Sequence, residues 1–221
     1  MAVTASCQIL PEKYYGTINN EYIISSAKTI DDGFVILGMT DSVVFGANNI
    51  FLSKIDSVGT LQWTKLFDIL YNSNRINFIA EASDGGYILG GRINYKVVLI
   101  KTDSAGNILW TQAYSSNYFY NVANDIIETP DKGFIVAGGD NNQGFVLKID
   151  SVGNKIWERF FNSVAQKILP TNDNCYIVTG SGGNSYHIFF LKINPSGVIS
   201  KFHTYIDTYA FGGGSWIYPK S

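Results

Sequence analysis

Short apolar runs separated by turn residues mark this chain, and the runs recur. Asp31-Asp32-Gly33 leads into Phe34-Val35-Ile36-Leu37 and closes on Gly38. The pattern returns at Asp84-Gly85-Gly86-Tyr87-Ile88-Leu89, at Asp131-Lys132-Gly133-Phe134-Ile135-Val136 and at Asp173-Asn174-Cys175-Tyr176-Ile177-Val178. Its aromatic anchors stand at 34, 87, 134 and 176, so the steps are 53, 47 and 42 residues. A second motif follows each copy. It reads Lys54-Ile55-Asp56-Ser57-Val58-Gly59 with Trp63, then Lys101-Thr102-Asp103-Ser104-Ala105-Gly106 with Trp110, then Lys148-Ile149-Asp150-Ser151-Val152-Gly153 with Trp157. The fourth copy departs from it: Lys192-Ile193-Asn194-Pro195-Ser196-Gly197, with Lys201 where the tryptophan is expected. Strand-built periods of about 40–50 residues indicate the blades of a β-propeller.

Each repeat reads as four short antiparallel strands, A to D. Strand A precedes the Asp-Gly turn and is predicted at 22–29, 76–82, 124–129 and 166–169. Strand B is an almost continuous apolar run, as suits a strand buried on both faces. Strand C is predicted at 50–55, 97–102, 145–149 and 187–193, and strand D, which carries the tryptophan, at 61–65, 108–113, 155–160 and 198–203. An Asp opening the C–D turn can accept hydrogen bonds from backbone N–H groups two or three residues on, and a Gly three residues later supplies the positive φ of a short hairpin. Asp56, Asp103 and Asp150 are read that way, as are Asp31, Asp84, Asp131 and Asp173 at the A–B turns. Trp63, Trp110 and Trp157 are expected to fill the space between adjacent blades, because each buries a large area.

The four complete repeats cover about 21–67, 74–114, 122–161 and 164–205, within a single domain. The remaining ends also carry strand patterns. Cys7-Gln8-Ile9-Leu10 and Lys13-Tyr14-Tyr15-Gly16-Thr17 suit strands C and D, while 207–211 and Gly213-Gly214-Ser215-Trp216-Ile217-Tyr218 suit strands A and B. Segments 5–18 and 206–221 would then make one composite blade, giving a five-bladed all-β propeller. Closure of this kind removes exposed strand edges, which invite aggregation. A four-bladed ring with loose tails and a fragment needing a second chain are the alternatives.

Composition narrows the function classes. A hydrophobic share of 46% excludes disorder. A net charge of -2, with only 15% charged residues, gives no bulk electrostatic attraction to nucleic acid or anionic lipid. No apolar run approaches the roughly 20 residues needed to span a bilayer. The N-terminus shows no basic region followed by an apolar one, so no signal peptide is visible. Cys7 and Cys175 have neither zinc-site spacing nor the number for a disulfide framework, and both are read as small apolar residues in strands.

Few residues offer chemistry. His187 and His203 have no companion at metal-ligand spacing, so no metal is expected. No phosphate loop, nucleophile elbow or dinucleotide fingerprint occurs, and no cofactor is expected. Glu81 and Glu128 occupy the same place in successive repeats, three residues before the turn Asp, where the other repeats have Lys28 and Pro170. Lys28, Glu81 and Glu128 are therefore expected to line the channel as a polar patch. A glycoside hydrolase would use two such carboxylates as acid and base or nucleophile. The B–C loops vary most in length, and variable loops on a fixed scaffold are where binding concentrates. Tyr95, Asn141, Asn142, Gln143, Asn184 and Tyr186 supply rings and amides there. That mix suits sugars and also protein interfaces.

The two motifs, Asp-x-Gly-Phe/Tyr-Ile-x-x-Gly and Lys-x-Asp-Ser-x-Gly-Asn-x-x-Trp, resemble the propeller repeats of secreted or surface proteins of bacteria and archaea, with a quinoprotein-like blade pattern. The resemblance covers about 21–205 and implies an extracellular, cell-surface or virion-associated propeller. The calcium and quinone ligands of the quinoproteins have no counterpart in this sequence. In size and blade number the chain is similar to the five-bladed tachylectins, which bind amino sugars, in shape alone. A sialidase Asp-box has a different Gly and Trp spacing, and Arg75, Arg92 and Arg159 fall at three different places in the repeat. The expected function is a non-catalytic binding module for a glycan or another protein, with possible oligomers or larger assemblies. A structural component of a cell surface or virus particle is the alternative, and a glycoside hydrolase the third.

Overall fold

A computed structural model of the chain describes residues 20–40, 49–67, 75–115, 122–140, 143–181 and 187–206. The sixteen described strands form four sheets, each with its strands in chain order. The first sheet is β1 (Glu21–Lys28), β2 (Phe34–Thr40), β3 (Asn49–Ile55) and β4 (Leu61–Phe67). The second is β5 (Arg75–Glu81), β6 (Tyr87–Ile93), β7 (Lys96–Thr102) and β8 (Ile108–Tyr114). The third is β9 (Ala123–Glu128), β10 (Phe134–Asp140), β11 (Gln143–Ile149) and β12 (Lys155–Phe161). The fourth is β13 (Val164–Pro170), β14 (Tyr176–Ser181), β15 (His187–Ile193) and β16 (Ile199–Ile206). Every pairing is antiparallel, and there is no helix among the described residues. The chain is thus an all-β protein of propeller-like repeated sheets. The expected composite blade falls on segments outside the described residues, apart from the end of β16.

Successive sheets pack face to face, and the alternation along strands B and C decides which residues meet. Val35, Leu37, Ile50 and Leu52 of the first sheet bury against Tyr87, Leu89, Val98 and Ile100 of the second. Ile88, Val97 and Leu99 on the other face of the second sheet meet Phe134, Val136, Phe145 and Leu147. Ile135, Ala137 and Val146 meet Tyr176, Val178, Phe189 and Leu191. Strands B and C therefore bury apolar side chains on both faces in the second and third sheets, as their continuous apolar runs require.

The turns follow the sequence motif with one refinement. At the C–D turn Asp56 accepts from the N–H groups of Val58 and Thr60, at 3.0 and 2.7 Å, two and four residues on. Asp103 and Asp150 repeat both bonds. Gly59, Gly106, Gly153 and Gly197 all take positive φ, between 74° and 87°. At the A–B turn the left-handed position is held by Asp32, Gly85, Lys132 and Asn174, one residue earlier than the recurring Gly33, Gly86 and Gly133. Those three glycines are kept for space. A side chain there would collide with a lysine ammonium and with a backbone carbonyl.

That lysine is the end of strand C reaching back beneath the turn. Lys54, Lys101 and Lys148 pair with Asp31, Asp84 and Asp131 at 2.8–2.9 Å, and their side chains are only 8, 4 and 5% exposed. Each ammonium also donates to the carbonyl of the following residue. In the fourth sheet Cys175 replaces the glycine. The Lys192 side chain, paired with Asp173, is 26% exposed there. Cys175 sits in the turn ahead of β14, half-buried, and not within a strand as expected.

The asymmetry of this pair makes a test. Removing the carboxylate leaves an ammonium buried without its counter-charge, whereas removing the ammonium leaves a carboxylate that water already reaches. Asp131→Ala should cost about 2–3 kcal/mol, after discounting for the exposure of the carboxylate, and Lys148→Met clearly less, measured by urea unfolding with unchanged m. Equal losses would refute this account of the pair. The pH dependence has a definite sign. Burial alone would raise the Asp131 carboxyl, but hydrogen bonds from Thr129 and Lys148 outweigh it and hold the group at about 2, below its ordinary 3.8. A depressed carboxyl stabilises the fold above its unfolded value and loses that contribution as the pH falls. The stability gap between wild type and Asp131→Asn should be constant above about pH 5 and shrink between about pH 4 and 2.

Candidate functional site

A four-stranded meander has two ends. The A–B and C–D turns share one, and the B–C loops and sheet-to-sheet connections share the other. The expected site residues divide between them.

At the A–B end, the innermost strands carry Glu81 and Glu128, and each reaches the turn of the preceding sheet. Glu81 accepts from the Ile30 N–H at 2.6 Å. Glu128 accepts from the Ser83 N–H and from its hydroxyl, both at 2.7 Å, and Lys132 donates to the same hydroxyl at 2.8 Å. Burial pushes the Glu81 carboxyl up, partly offset by the Ile30 N–H. Lys28 stays in its own hairpin, paired with Asp32 at 2.6 Å and well exposed. At the third junction Pro130 takes the place of Ile30 and Ser83, and it has no N–H to cap. The residue matching Glu81 and Glu128 there is Pro170, which has no carboxylate. Donor and acceptor are lost together.

These turns frame two clefts. One of about 260 Å³ lies between the second and third sheets, with Ser83, Asp84, Glu128, Lys132 and Ser151 in its walls. The next, of about 330 Å³, lies between the third and fourth sheets and includes Thr129, Pro130, Pro170, Thr171 and Cys175. Among the described residues no group of three or more His, Cys, Asp or Glu side chains is arranged to hold a metal ion.

At the B–C end, β6 and β7 are joined by the two-residue turn Asn94-Tyr95, with Ile93 opposite Lys96. Both turn residues have positive φ, 49° and 61°. Such a turn matches the twist of a hairpin, but Gly is the ordinary choice at its second position. Tyr95 is 56% exposed. The Arg92 guanidinium lies 5.9 Å from its ring centre and spans to Asp140 of the third sheet at 3.4 Å. Gln143 opens β11 opposite Asp140 and is half-buried. Tyr95 and Gln143 thus sit at the same end of neighbouring sheets, linked through Arg92 and Asp140. Asn141, Asn142, Asn184 and Tyr186 lie outside the described residues. The Arg92–Asp140 pairing crosses 48 positions of sequence, so nothing local announces it.

The fold and this end of it define a class, a propeller-like β protein with a loop-bearing face, and comparison with known proteins adds the following. No protein-family model matches the chain, and no curated protein matches it. A crystal structure of a protein of unknown function from Bacteroides caccae is similar with a TM-score of 0.57 and 13% identity, covering 86% of this chain. This chain covers 63% of the length of that one. A structure described as a eukaryotic initiation factor aligns with a TM-score of 0.42 and 10% identity, over 83% of this chain and 55% of that one. The first likeness shows the fold alone.

The cap at the A–B end predicts a stability effect. Glu128→Ala should lower unfolding free energy by about 1 kcal/mol, the net worth of a typical hydrogen bond, by leaving the Ser83 N–H to water. A urea midpoint identical to wild type would show that the cap contributes nothing.

Proposed function

We propose that this chain is a non-catalytic β-propeller binding module whose ligand, a glycan or another protein, meets the B–C loops. The observation that carries the proposal is Tyr95. A tyrosine in the left-handed region costs about 1–2 kcal/mol relative to an ordinary backbone conformation, and glycine would avoid that cost. Strain of this kind persists where function retains it. The ring stands exposed with a guanidinium against it, and Gln143 lies at the same end of the neighbouring sheet. An exposed aromatic beside polar donors suits the C–H face and hydroxyls of a sugar, and equally a protein contact. Asn141, Asn142, Asn184 and Tyr186 extend the same loop set in sequence.

The proposal includes a five-bladed ring closed by a composite blade from the two ends of the chain. Two partly exposed apolar faces support it. In the first sheet Phe34 is 47% exposed, while its counterparts Tyr87, Phe134 and Tyr176 are 1, 2 and 4% exposed. In the fourth sheet Ile188 is 63% exposed, against 0% for Ile50 and 3% for Val97. The same faces favour a second reading, in which the chain is an assembly component of a cell surface or virus particle and a neighbouring subunit covers them.

Glycan-array binding by the full chain tests the first reading. Tyr95→Ala should weaken the recognised ligand at least tenfold, while Tyr95→Gly should raise stability by about 1 kcal/mol and weaken binding alike. Binding that survives both substitutions would sink the assignment of the site. A stable multimer without glycan binding would favour assembly.

A further inference from the structure

In three of the four sheets the Asp that opens the A–B turn is served by a threonine two residues before it. Thr29, Thr129 and Thr171 donate their hydroxyls to Asp31, Asp131 and Asp173. Thr129 also accepts from the buried Lys148 ammonium at 2.8 Å, so its hydroxyl joins both halves of the ion pair. The second sheet breaks the series. Ala82 stands at that position, 3% exposed and without a hydroxyl. The pair it serves is otherwise the same. Lys101 meets the two Asp84 oxygens at 2.9 and 2.8 Å and is equally withdrawn from water. Ala82 cannot make the bond of the other turns, and the place is beside a buried charge, where a missing hydrogen bond costs most.

The cleft of about 260 Å³ between the second and third sheets lies at this place. Ala82, Asp84 and Lys101 are in its walls, and the third sheet contributes Glu128, Lys132 and Phe134. The cleft between the third and fourth sheets has Thr129 in its wall, but neither Asp131 nor Lys148. Where the threonine is present it lines the cleft in place of the ion pair. Where alanine replaces it, both ions line the cleft. Lys132 adds a second polar anchor. It holds the left-handed turn position, φ 62°, which Asp32, Gly85 and Asn174 take in the other sheets. Asp, Gly and Asn are the ordinary residues of that conformation, and lysine is not. Its ammonium reaches the Ser83 hydroxyl of the second sheet at 2.8 Å, and that hydroxyl donates to Glu128 at 2.7 Å. Phe134, 2% exposed, gives the same wall an apolar surface. Ser151 is already engaged, its carbonyl accepting from the Trp110 indole at 3.2 Å, so a tryptophan spans this junction.

We infer that this cleft binds a small neutral polyhydroxylated molecule, a polyol or a single sugar residue, with one ligand hydroxyl in the place of the missing threonine hydroxyl. That hydroxyl donates to Asp84 and accepts from Lys101, the two bonds that Thr129 makes in the next sheet. A second hydroxyl on the adjacent carbon accepts from Lys132, and the C–H face of the ligand lies toward Phe134. The wall charges select this chemistry. A carboxylate or phosphate would be repelled by Asp84 and Glu128, and an ammonium by Lys101 and Lys132. A neutral group that both gives and takes a hydrogen bond meets neither repulsion. The cleft is smaller than the roughly 300–1,000 Å³ of sites for drug-sized ligands, so its occupant is small. The site lies at the opposite end of the sheets from Tyr95 and stands or falls independently of the loop site.

Amide NMR of the full chain, titrated with glycerol, myo-inositol, methyl α-glucoside and methyl α-galactoside at millimolar concentrations, tests this. The expected result is a saturable shift of the amides at 82–86 and 132–134 with at least one of these probes. Response to the polyols or to the glycosides tells which source of hydroxyls the cleft takes. Ala82→Thr restores the residue of the other turns, so the chain should fold. It should weaken binding at least about tenfold, since the chain's own hydroxyl then holds the place, and should raise the urea midpoint of the ligand-free protein. Ala82→Val has the same size without the hydroxyl. It should block binding alike and leave the midpoint unraised. Lys132→Asn keeps the turn and removes the ammonium, and should weaken binding about tenfold. No saturable shift with any probe, or binding that survives Ala82→Thr, would overturn the inference. So would Ala82→Val raising the midpoint as much as Ala82→Thr, because the place would then want volume and not a hydroxyl.

Discussion

A lysine ammonium withdrawn from water needs a carboxylate and further acceptors around it, since burying a charge without them costs several kcal/mol. Here that requirement is met three times over by the same geometry. Lys54, Lys101 and Lys148 come from the end of strand C, cross beneath strand B and meet the Asp that opens the A–B turn. The ion pair ties three of the four strands of a sheet at one end. It forces the residue above it to be glycine. It also places the turn at the edge of the next cleft, where Glu81 and Glu128 find their backbone donors. The turn, the inter-sheet cap and the cleft walls all inherit their positions from one buried cation per sheet.

The junctions between sheets are built from directional contacts. The inner hairpin of every sheet carries a β-bulge at one repeat position, leaving Ile24, Asn77, Asn124 and Gln166 unpaired in the ladder. A bulge re-aims the side chain it carries. Asn77 and Asn124 use it to donate to the Ala123 and Ala165 carbonyls of the following sheet, at 3.1 and 2.8 Å. At the rim, Tyr114 and Arg159 donate forward to Gly153 and Gly197 carbonyls, beside the tryptophans. The glutamates reach in the opposite sense. Each junction between the described sheets is thus fixed beside the first strand and beside the fourth as well as through its apolar middle. Sliding one sheet against the next would break polar bonds at both places.

Much of this was legible in the sequence because it is local. The C–D turn needs an Asp and a Gly three residues apart, and both needs are met inside six residues. The tryptophans announced themselves by size and recurrence. The role of Lys54 and its equivalents was not legible. A lysine at the end of a strand reads as solvated, and its counter-ion lies 17 to 23 positions away. The recurring Gly33 looked like a conformational glycine and is a steric one. Glu81 and Glu128 were recognised as equivalent, but the Ile30 and Ser83 N–H groups they cap belong to another repeat. Tyr95 was picked out as a loop aromatic, whereas its left-handed backbone depends on the two-residue length of its turn. Arg92 and Asp140 needed the third dimension.

The paired prolines at the third junction have a consequence for how such a chain can change. Pro130 has dispensed with a donor and Pro170 with the matching acceptor, so the two sheets have altered their mutual contact in step. The second or third repeat set there would bring a glutamate with nothing to cap, or a turn amide with nothing to accept it. Interchange of modules is therefore unrestricted only between junctions of the same kind. Duplication that lengthens the array would be tolerated between the first and second repeats, where the glutamate meets a turn amide, and resisted where the third meets the fourth.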